Sequence, residues 1–302
     1  MKAGVVGVGV MGEHHARVYS EMSGCELIGV MDTDLARARE IAGKYHTKVV
    51  SSIEEMLSLK PDAVSIVVPT SLHREVAIKF LRKGISCFVE KPIAPTVEAA
   101  KEIIAEAEKS GAILMVGHIE RFNPAVLKFK EILDSQELGK LLVVSTRRVG
   151  PIPPRIRDVG IIIDSATHDI DVTRFLFGRE PERVCAKYGN NKLPNEDYAV
   201  LLLDFGDGIA NIEVNWFTPI KIRTLVATAT GGLANLNYID QTLEVLTGTT
   251  KRMVEVNKRE PLKVELEHFV ECVVHKKKPI VDGVEGMRNL EVALKALREG
   301  GQ

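Results

Sequence analysis

Apolar and polar positions in the first 118 residues follow a pattern that predicts parallel strands connected by helices. Short uninterrupted apolar runs recur, as in Lys2–Val8 and Ala63–Val68, and such runs are typical of strands buried on both faces of a sheet. The segments between them are amphipathic, and Val97–Ser110 is the clearest helix. We count six strands, the last at Ile113–Val116, and predict an α/β domain with a doubly wound parallel sheet, residues 1–118.

The pattern changes after residue 118. Helices are expected at Pro124–Leu133 and Ile162–Phe177, and from Arg183 onward apolar and polar residues alternate with the period of half-buried strands. Asp207-Gly208, between two of these strands, is typical of a hairpin turn. We therefore expect a second, α+β domain, residues 119–302, with a large, mostly antiparallel open sheet and two late helices.

Composition and charge exclude several classes of partner. The chain has 40 Lys and Arg against 41 Asp and Glu, which gives no reason to expect nucleic acid or an anionic membrane. No apolar run reaches the roughly 18 residues of a membrane helix, and the first strand does not resemble a signal peptide. Four scattered cysteines without a C-x-x-C pair predict reduced thiols in a cytoplasmic protein and no metal site.

The most specific motif follows the first strand. Gly7, Gly9 and Gly12 have the spacing G-x-G-x-x-G before a predicted helix, and Asp32 ends the next strand. In this motif the glycines permit a tight turn, close approach to a pyrophosphate and close helix–strand packing, while the helix N-terminus offers free N–H groups. Asp32 would accept a hydrogen bond from a ribose 2′-hydroxyl and repel a 2′-phosphate. The pattern predicts NAD rather than NADP; the alternative is a glycine-rich turn in another α/β domain.

Polar residues at the ends of other strands are candidates to complete this site. Ligands of open parallel sheets bind at the carboxyl ends of the strands, here Pro69–His73 and Glu90–Pro92. Lys91 follows a buried strand, so its amine could act at a substrate hydroxyl; the alternative is a surface lysine in a turn. His15 has no evident partner in the sequence and is expected to be exposed or to lie on a helix face.

A carboxylate and an imidazole are spaced by one helical turn in the second domain. Asp164 and His168 would lie on one face of the predicted helix Ile162–Phe177. The carboxylate would orient the imidazole, and His168 could accept a proton from an alcohol as hydride leaves the carbon. A purely structural pair is the alternative, and zinc is not expected because no third ligand has suitable spacing. Asp169 and Asp171 are expected to be charges on the helix surface.

Four arginines flank a proline-rich segment just before that helix. They are Arg147, Arg148, Arg155 and Arg157. Guanidinium groups match phosphate oxygens well, so this segment could bind a diphosphate of the substrate. Salt bridges at a subunit or domain contact are an equally open alternative.

Five motifs together resemble the Gfo/Idh/MocA oxidoreductase family. They are Gly7-Val8-Gly9-Val10-Met11-Gly12, Pro69-Thr70-Ser71-Leu72-His73, Glu90-Lys91-Pro92, Val116–Pro124 and Asp164–Asp171. The resemblance implies a Rossmann domain and an α/β domain whose open sheet often forms oligomer contacts, so a homodimer or homotetramer is expected. It also implies that Lys91, Asp164 and His168 are the catalytic residues.

The resemblance implies ligand contacts as well. The expected cofactor-binding residues are Gly7, Gly9, Val10, Met11, Gly12, Asp32, Thr70, Ser71, His73 and Glu90, the last four on the nicotinamide side. Residues 118–124 and the arginine segment are most similar to the nucleotide-sugar branch, which implies substrate contacts by Arg121, Asn123, Arg155 and Arg157.

From these observations we expect NAD-dependent oxidation of a secondary alcohol on a sugar, at C3 of a UDP-linked N-acetylhexosamine. The alternatives are an inositol or free-sugar dehydrogenase and a non-catalytic regulator that binds NAD and a sugar.

Overall fold

The computed structural model describes residues 1–153 and 159–300. The chain forms two compact units, and each is described by itself. The first unit comprises Met1–His118 and Leu262–Arg288, and the second comprises Ile119–Pro261 and Asn289–Gln302. No helix of the described residues is long and apolar enough to cross a membrane.

The first unit contains a six-stranded parallel sheet in the order β3-β2-β1-β4-β5-β6. Its strands are β1 (Lys2–Val6), β2 (Glu26–Met31), β3 (Val49–Val50), β4 (Ala63–Ile66), β5 (Ser86–Glu90) and β6 (Leu114–Gly117). Its first five helices are α1 (Val10–Glu21), α2 (Leu35–Lys44), α3 (Ile53–Ser58), α4 (His73–Leu81) and α5 (Val97–Ser110). Helix α5 has the bounds that its amphipathic pattern predicts, because Thr96 caps its N-terminus and Gly111 ends it with φ 69°.

Residues 262–288 pack with the first unit, which corrects the prediction that 119–302 form one domain. They belong to helices α8 (Pro261–His275) and α9 (Gly283–Gly300) and to the loop between them. The backbone N–H of Val116, on β6, donates to the carbonyl of Val281 at 3.0 Å, and the ring of Phe269 lies edge-on to Phe88 with centroids 5.6 Å apart. The late segment therefore covers the edge of the parallel sheet at β6.

The second unit contains an eight-stranded sheet in the order β14-β13-β12-β11-β7-β10-β9-β8. Its strands are β7 (Leu141–Pro151), β8 (Arg183–Gly189), β9 (Tyr198–Asp204), β10 (Ile209–Asn215), β11 (Phe217–Ala229), β12 (Gly232–Asn237), β13 (Thr242–Thr247) and β14 (Thr250–Val254). Only the β7–β10 pairing is parallel. The fold-class prediction is confirmed. The pattern of apolar and polar residues does not predict the edge strand β14, because four of its five residues are exposed.

Alternation along these strands gives the sheet one buried and one open face. On β9, Leu201 and Leu203 are buried in the core, whereas Val200 and Leu202 are exposed on the other face. The buried face packs against helices α6 (Pro124–Asp134) and α7 (Thr167–Phe177). The helix predicted over residues 162–177 begins instead as a π-helical turn, Ile162–Ala166.

Candidate functional site

The glycine turn between β1 and α1 fits a dinucleotide pyrophosphate. Gly7 has φ +86°, and a Cβ at Gly7 would overlap the carbonyl oxygen of Val67. A Cβ at Gly12 would overlap the carbonyl oxygen of Gly7, so helix and turn approach too closely for any side chain there. The space beside Gly9 is open, and no side chain caps the N-terminus of α1 at this residue. The exposed Val10 and half-buried Met11 follow in the first turn, where backbone N–H groups can bind phosphate oxygens.

Asp32 holds this turn against the end of β2. Its carboxylate accepts the backbone N–H of Val8 at 2.7 Å and that of Asp34 at 2.9 Å. A carboxylate has about four acceptor sites, so capacity remains for a ribose hydroxyl. The nearby Arg37 donates to the carbonyl of Val8 at 3.0 Å and is paired with Glu13. Because Arg37 is engaged in this way, it is not a free cation for a 2′-phosphate.

Glu13 completes the support of the turn. Hydrogen bonds from Lys44 and Arg37 lower the pKa of Glu13 to about 2, so it is ionised at every physiological pH. The three side chains join α1 to α2 beside the glycine turn.

The three predicted cofactor contacts after β4 differ in how far they are buried. Thr70 is half-buried and Ser71 exposed, in a short 3₁₀ turn that follows β4. His73 is buried, and its ring nitrogens lie 2.9 Å from the carbonyl oxygens of Pro92 and Val68. Burial lowers the pKa of His73, which keeps the ring neutral at pH 7. His73 thus joins the segment that follows β4 to the segment that follows β5, and its contact with the cofactor stays a prediction.

A buried hydrogen-bonded chain lies beneath Glu90. His15 Nε2 lies 3.1 Å from Glu90 Oε1, and His15 Nδ1 lies 3.0 Å from Ser65 Oγ. Ser65 in turn contacts the hydroxyl of Tyr19 at 2.8 Å. His15 is 0% exposed, so it lies on the buried face of α1 and not in solvent, and it has partners that we did not expect. Its partners lie 50 and 75 residues away in sequence, and no local signal identifies them.

This chain fixes the backbone around Lys91. Burial would raise the pKa of Glu90, but the hydrogen bond and charge of His15, together with the charge and backbone N–H of Lys91, outweigh it and lower that pKa. The other oxygen of Glu90 accepts the backbone N–H of Lys91 at 3.1 Å. Lys91 is half-buried directly after β5, and the Lys91–Pro92 peptide bond is cis. Glu90, predicted as a cofactor contact, is thus held by protein partners and sets the position of Lys91.

The second unit presents Asp164 and His168 at the junction of the π-helical turn and α7. Both are half-buried. The hydroxyl of Ser165 donates to Asp164 Oδ2 at 3.1 Å. Asn289 donates to the carbonyl and hydroxyl oxygens of Thr167 at 3.0 and 2.8 Å, which fixes the start of α7. Single π-helical turns of this kind are frequent at functional sites.

Asp169 and Asp171 are buried, which corrects the expectation that they lie on the helix surface. Asp169 accepts from Arg148 Nε at 2.6 Å, and Asp171 accepts from Arg121 Nε at 3.0 Å. The Arg121 guanidinium is buried in this pair, so it has a structural partner in the second unit, and its contact with a substrate stays a prediction.

Three other predicted substrate residues have different outcomes. Asn123 caps α6 by accepting the N–H of Ala125, and its amide donates to Glu120 and to the carbonyl of Tyr238, so it is also committed to protein partners. Arg155 and Arg157 lie outside the described residues.

The other two arginines of that group, Arg147 and Arg148, belong to strand β7. Arg147 is exposed on the open face and pairs with Glu213 on β10 at 3.1 Å, whereas Arg148 points to the buried face. Opposite Arg148, on β11, lies Arg223, which no sequence motif identifies.

Comparisons with known proteins agree with this arrangement. Residues 1–118 match the family described as the GFO/IDH/MocA oxidoreductase family, NAD-binding Rossmann fold, and residues 126–234 match its C-terminal domain. The chain is 30% identical to a UDP-N-acetylglucosamine 3-dehydrogenase of Acidithiobacillus ferrooxidans, over 97% of this chain and 95% of the relative. A solved structure of that enzyme has a TM-score of 0.92, covering 99% of this chain and 97% of the other.

A second relative shows that the similarity extends beyond nucleotide-sugar enzymes. The chain is 30% identical to a scyllo-inositol 2-dehydrogenase (NAD(+)) of Bacillus subtilis, over 98% of this chain and 93% of the relative. Both comparisons confirm the predicted family and the oxidoreductase class, and the Rossmann match confirms NAD as the cofactor.

Proposed function

The chain belongs to the Gfo/Idh/MocA family of NAD-binding oxidoreductases, and from this premise we propose that it oxidises the C3 hydroxyl of a UDP-linked N-acetylhexosamine to a ketone. The observation that carries the proposal is the similarity to a UDP-N-acetylglucosamine 3-dehydrogenase over nearly the full length of both chains, in sequence and in fold. The positions of Lys91, Asp164 and His168 support it, because each is half-buried and retains access to solvent.

The proposed roles follow from the chemistry of the three side chains. His168 accepts the proton of the substrate hydroxyl, and Asp164 orients the imidazole and stabilises its positive charge. Lys91 donates a hydrogen bond to the same oxygen and stabilises the negative charge that develops on it. When bound, NAD supplies the nicotinamide C4 that takes the hydride from the carbon. The carbon thus loses a hydride and the oxygen a proton, which leaves a carbonyl group.

A substrate panel tests the proposal. Purified protein and NAD are incubated with UDP-N-acetylglucosamine, UDP-N-acetylgalactosamine, free N-acetylglucosamine and scyllo-inositol, and NADH formation is followed by absorbance. We expect turnover with a UDP-sugar and a product two hydrogens lighter, with the ketone at C3 by NMR. His168→Ala and Lys91→Ala should each lower kcat by at least about 100-fold, the usual contribution of a positioned acid or base. Activity of these variants within a few-fold of wild type would refute the assigned roles.

The second candidate function is oxidation of an inositol or a free sugar. It is favoured by the relative from Bacillus subtilis, which matches as much of this chain as the nucleotide-sugar enzyme does. Turnover with scyllo-inositol and none with UDP-sugars would establish it. Absence of NADH formation with every polyol and sugar would instead favour a regulator that binds NAD.

We also propose that the open face of the eight-stranded sheet binds a second copy of this chain. Tyr198, Val200 and Leu202 on β9 are 45%, 48% and 44% exposed, and Met253 on β14 is 60% exposed. Apolar side chains grouped on one face are typical of protein interfaces. Light scattering should report a dimer or tetramer for the wild type and a smaller species for Leu202→Glu. A monomeric wild type at micromolar concentration would refute this interface.

A further inference from the structure

Arg223 lies in a row of polar side chains that crosses the buried face of the second unit's sheet. In the register of β11 and β7, Arg223 lies opposite Arg148. The backbone carbonyl of Arg223 accepts the N–H of Tyr238 at 3.0 Å. Along β11, Arg223 is two residues from Leu225 and therefore points to the same face as this core residue. Exposure on this face therefore rises from the buried Leu225 to Arg223, whose side chain is 40% exposed.

The two arginines of this row differ in how far their donors are used. Arg148 is 6% exposed, with Asp169 at 2.6 Å and Glu120 at 2.9 Å. Arg223 is 40% exposed, and within residues 1–153 and 159–300 its one ion pair is with Glu120 at 3.7 Å. No hydrogen bond of its guanidinium occurs within the same residues.

Glu120 is not available to satisfy Arg223 more closely. One of its oxygens is held by Arg148, and the other accepts the amide of Asn123 at 3.2 Å. Arg223 thus has up to five N–H donors in a half-buried position without a hydrogen-bond acceptor among the described residues. A guanidinium so placed favours a ligand with paired anionic oxygens.

The charges that act on Arg223 include that of Asp164, one of the proposed catalytic residues. Burial and the adjacent positive charge of Arg148 lower the pKa of Arg223, and the charges of Glu120, Asp169 and Asp164 act in the opposite direction. The carboxylate of Asp164 is therefore within electrostatic range of Arg223. An anionic ligand at Arg223 would relieve the repulsion from Arg148.

We propose that Arg223 binds an anionic group of the substrate and so determines its class, a sugar that carries a diphosphate or a carboxylate. This inference rests on the proposed function, for which the UDP diphosphate is the expected group. A neutral polyol offers no such group, so Arg223 contributes nothing to its binding.

The test uses three variants of the full chain. Arg223→Gln removes the charge, and Arg223→Lys keeps the charge without the planar pair of donors. Arg179→Gln is the control, because Arg179 follows α7 in the same unit, is exposed and is paired with Asp207. Thermal unfolding with and without NAD identifies any variant that does not fold, and Arg223→Lys keeps the proposal testable if Arg223→Gln does not fold.

The expected result separates binding from chemistry. For a UDP-sugar, Arg223→Gln should raise KM by about 10- to 100-fold, the range for a hydrogen bond to a charged group. Its kcat and its KM for NAD should change less than threefold, and Arg223→Lys should be intermediate. Calorimetry with UDP should show the same loss of affinity if the diphosphate is the ligand. If the loss appears with free glucuronate and not with UDP, the carboxylate is the ligand.

Two outcomes overturn the inference. One is a KM for the UDP-sugar in Arg223→Gln equal to that of Arg179→Gln. The other is an absence of binding of both UDP and glucuronate to the wild type. Failure of the proposed function looks different: the wild type would bind UDP through Arg223 but form no NADH with any UDP-sugar.

Discussion

Replacing Asp169 with asparagine should destabilise the second unit specifically. Asp169 and Arg148 are 1% and 6% exposed and are joined at 2.6 Å, so the variant leaves a buried guanidinium without its closest charge partner. Removing one partner of a buried ion pair costs about 3–5 kcal/mol. Arg148 keeps Glu120 at 2.9 Å, which places the expected loss near the lower end, about 3 kcal/mol. For a unit of this size that is a fall in Tm of about 6–12 °C.

Trp216 makes the measurement specific to this unit. It is the one tryptophan of the chain and is 5% exposed in the core of the second unit. Its fluorescence during urea unfolding therefore reports that unit, and the midpoint should fall without a change in the slope m. Glu131→Gln, which removes a solvent-exposed pair with Lys128 on α6, is the control and should cost less than about 1 kcal/mol.

The result that would refute this reasoning is a midpoint for Asp169→Asn that equals the midpoint of the Glu131→Gln control. It would mean that Glu120 alone compensates the charge of Arg148. The ion pairs at the base of α7 would then be unimportant for stability.

Three further predictions concern the first unit. Gly12→Ala should abolish NAD binding measured by calorimetry, because its Cβ would overlap the Gly7 carbonyl oxygen. Gly43→Ala in α2, where the added Cβ meets no atom, should leave NAD binding unchanged. Normal NAD binding by Gly12→Ala would contradict the geometry of the turn. His15→Phe should lower the free energy of unfolding in urea by about 1–3 kcal/mol and lower kcat, since Glu90 and Ser65 each lose one of their buried partners. His14→Phe, at an exposed position, should do neither. Burial lowers the pKa of His73, so as the pH falls below about 6.5 the unfolded chain binds a proton more readily than the folded chain. The free energy of unfolding should therefore decrease between pH 7 and 5, and should decrease less in His73→Gln. Unfolding followed by circular dichroism across this pH range measures both.

Elements of the fold were predictable where their cause is local. The run Ala63–Val68 contains the observed β4, and Val97–Ser110 has its observed bounds, because apolar periodicity and helix caps act within a few residues. The π-helical turn at Ile162–Ala166 was not predictable in this way. It begins beside a residue distant in sequence, because the carbonyl of Glu196 accepts the N–H of Ile161 at 2.9 Å.

The packing of residues 262–288 with the first unit also depends on contacts between residues far apart in sequence. The amphipathic pattern of α8 predicts a helix but does not identify the surface on which it packs. That surface is fixed by contacts such as Phe269 with Phe88, which join residues far apart in sequence.

The roles of the polar residues in the second unit depend most clearly on contacts that the local sequence does not determine. Arg147 and Arg148 are adjacent and identical, yet one is exposed beside Glu213 and the other is buried beside Asp169. Their different roles follow from the alternation of β7, and a shift of one residue in its register would exchange them. That register is set only when β7 pairs with β10 and β11, which also brings Arg223 opposite Arg148. The sequence could therefore supply the charged residues, but only strand pairing decides which of them support the fold and which remains available to a ligand.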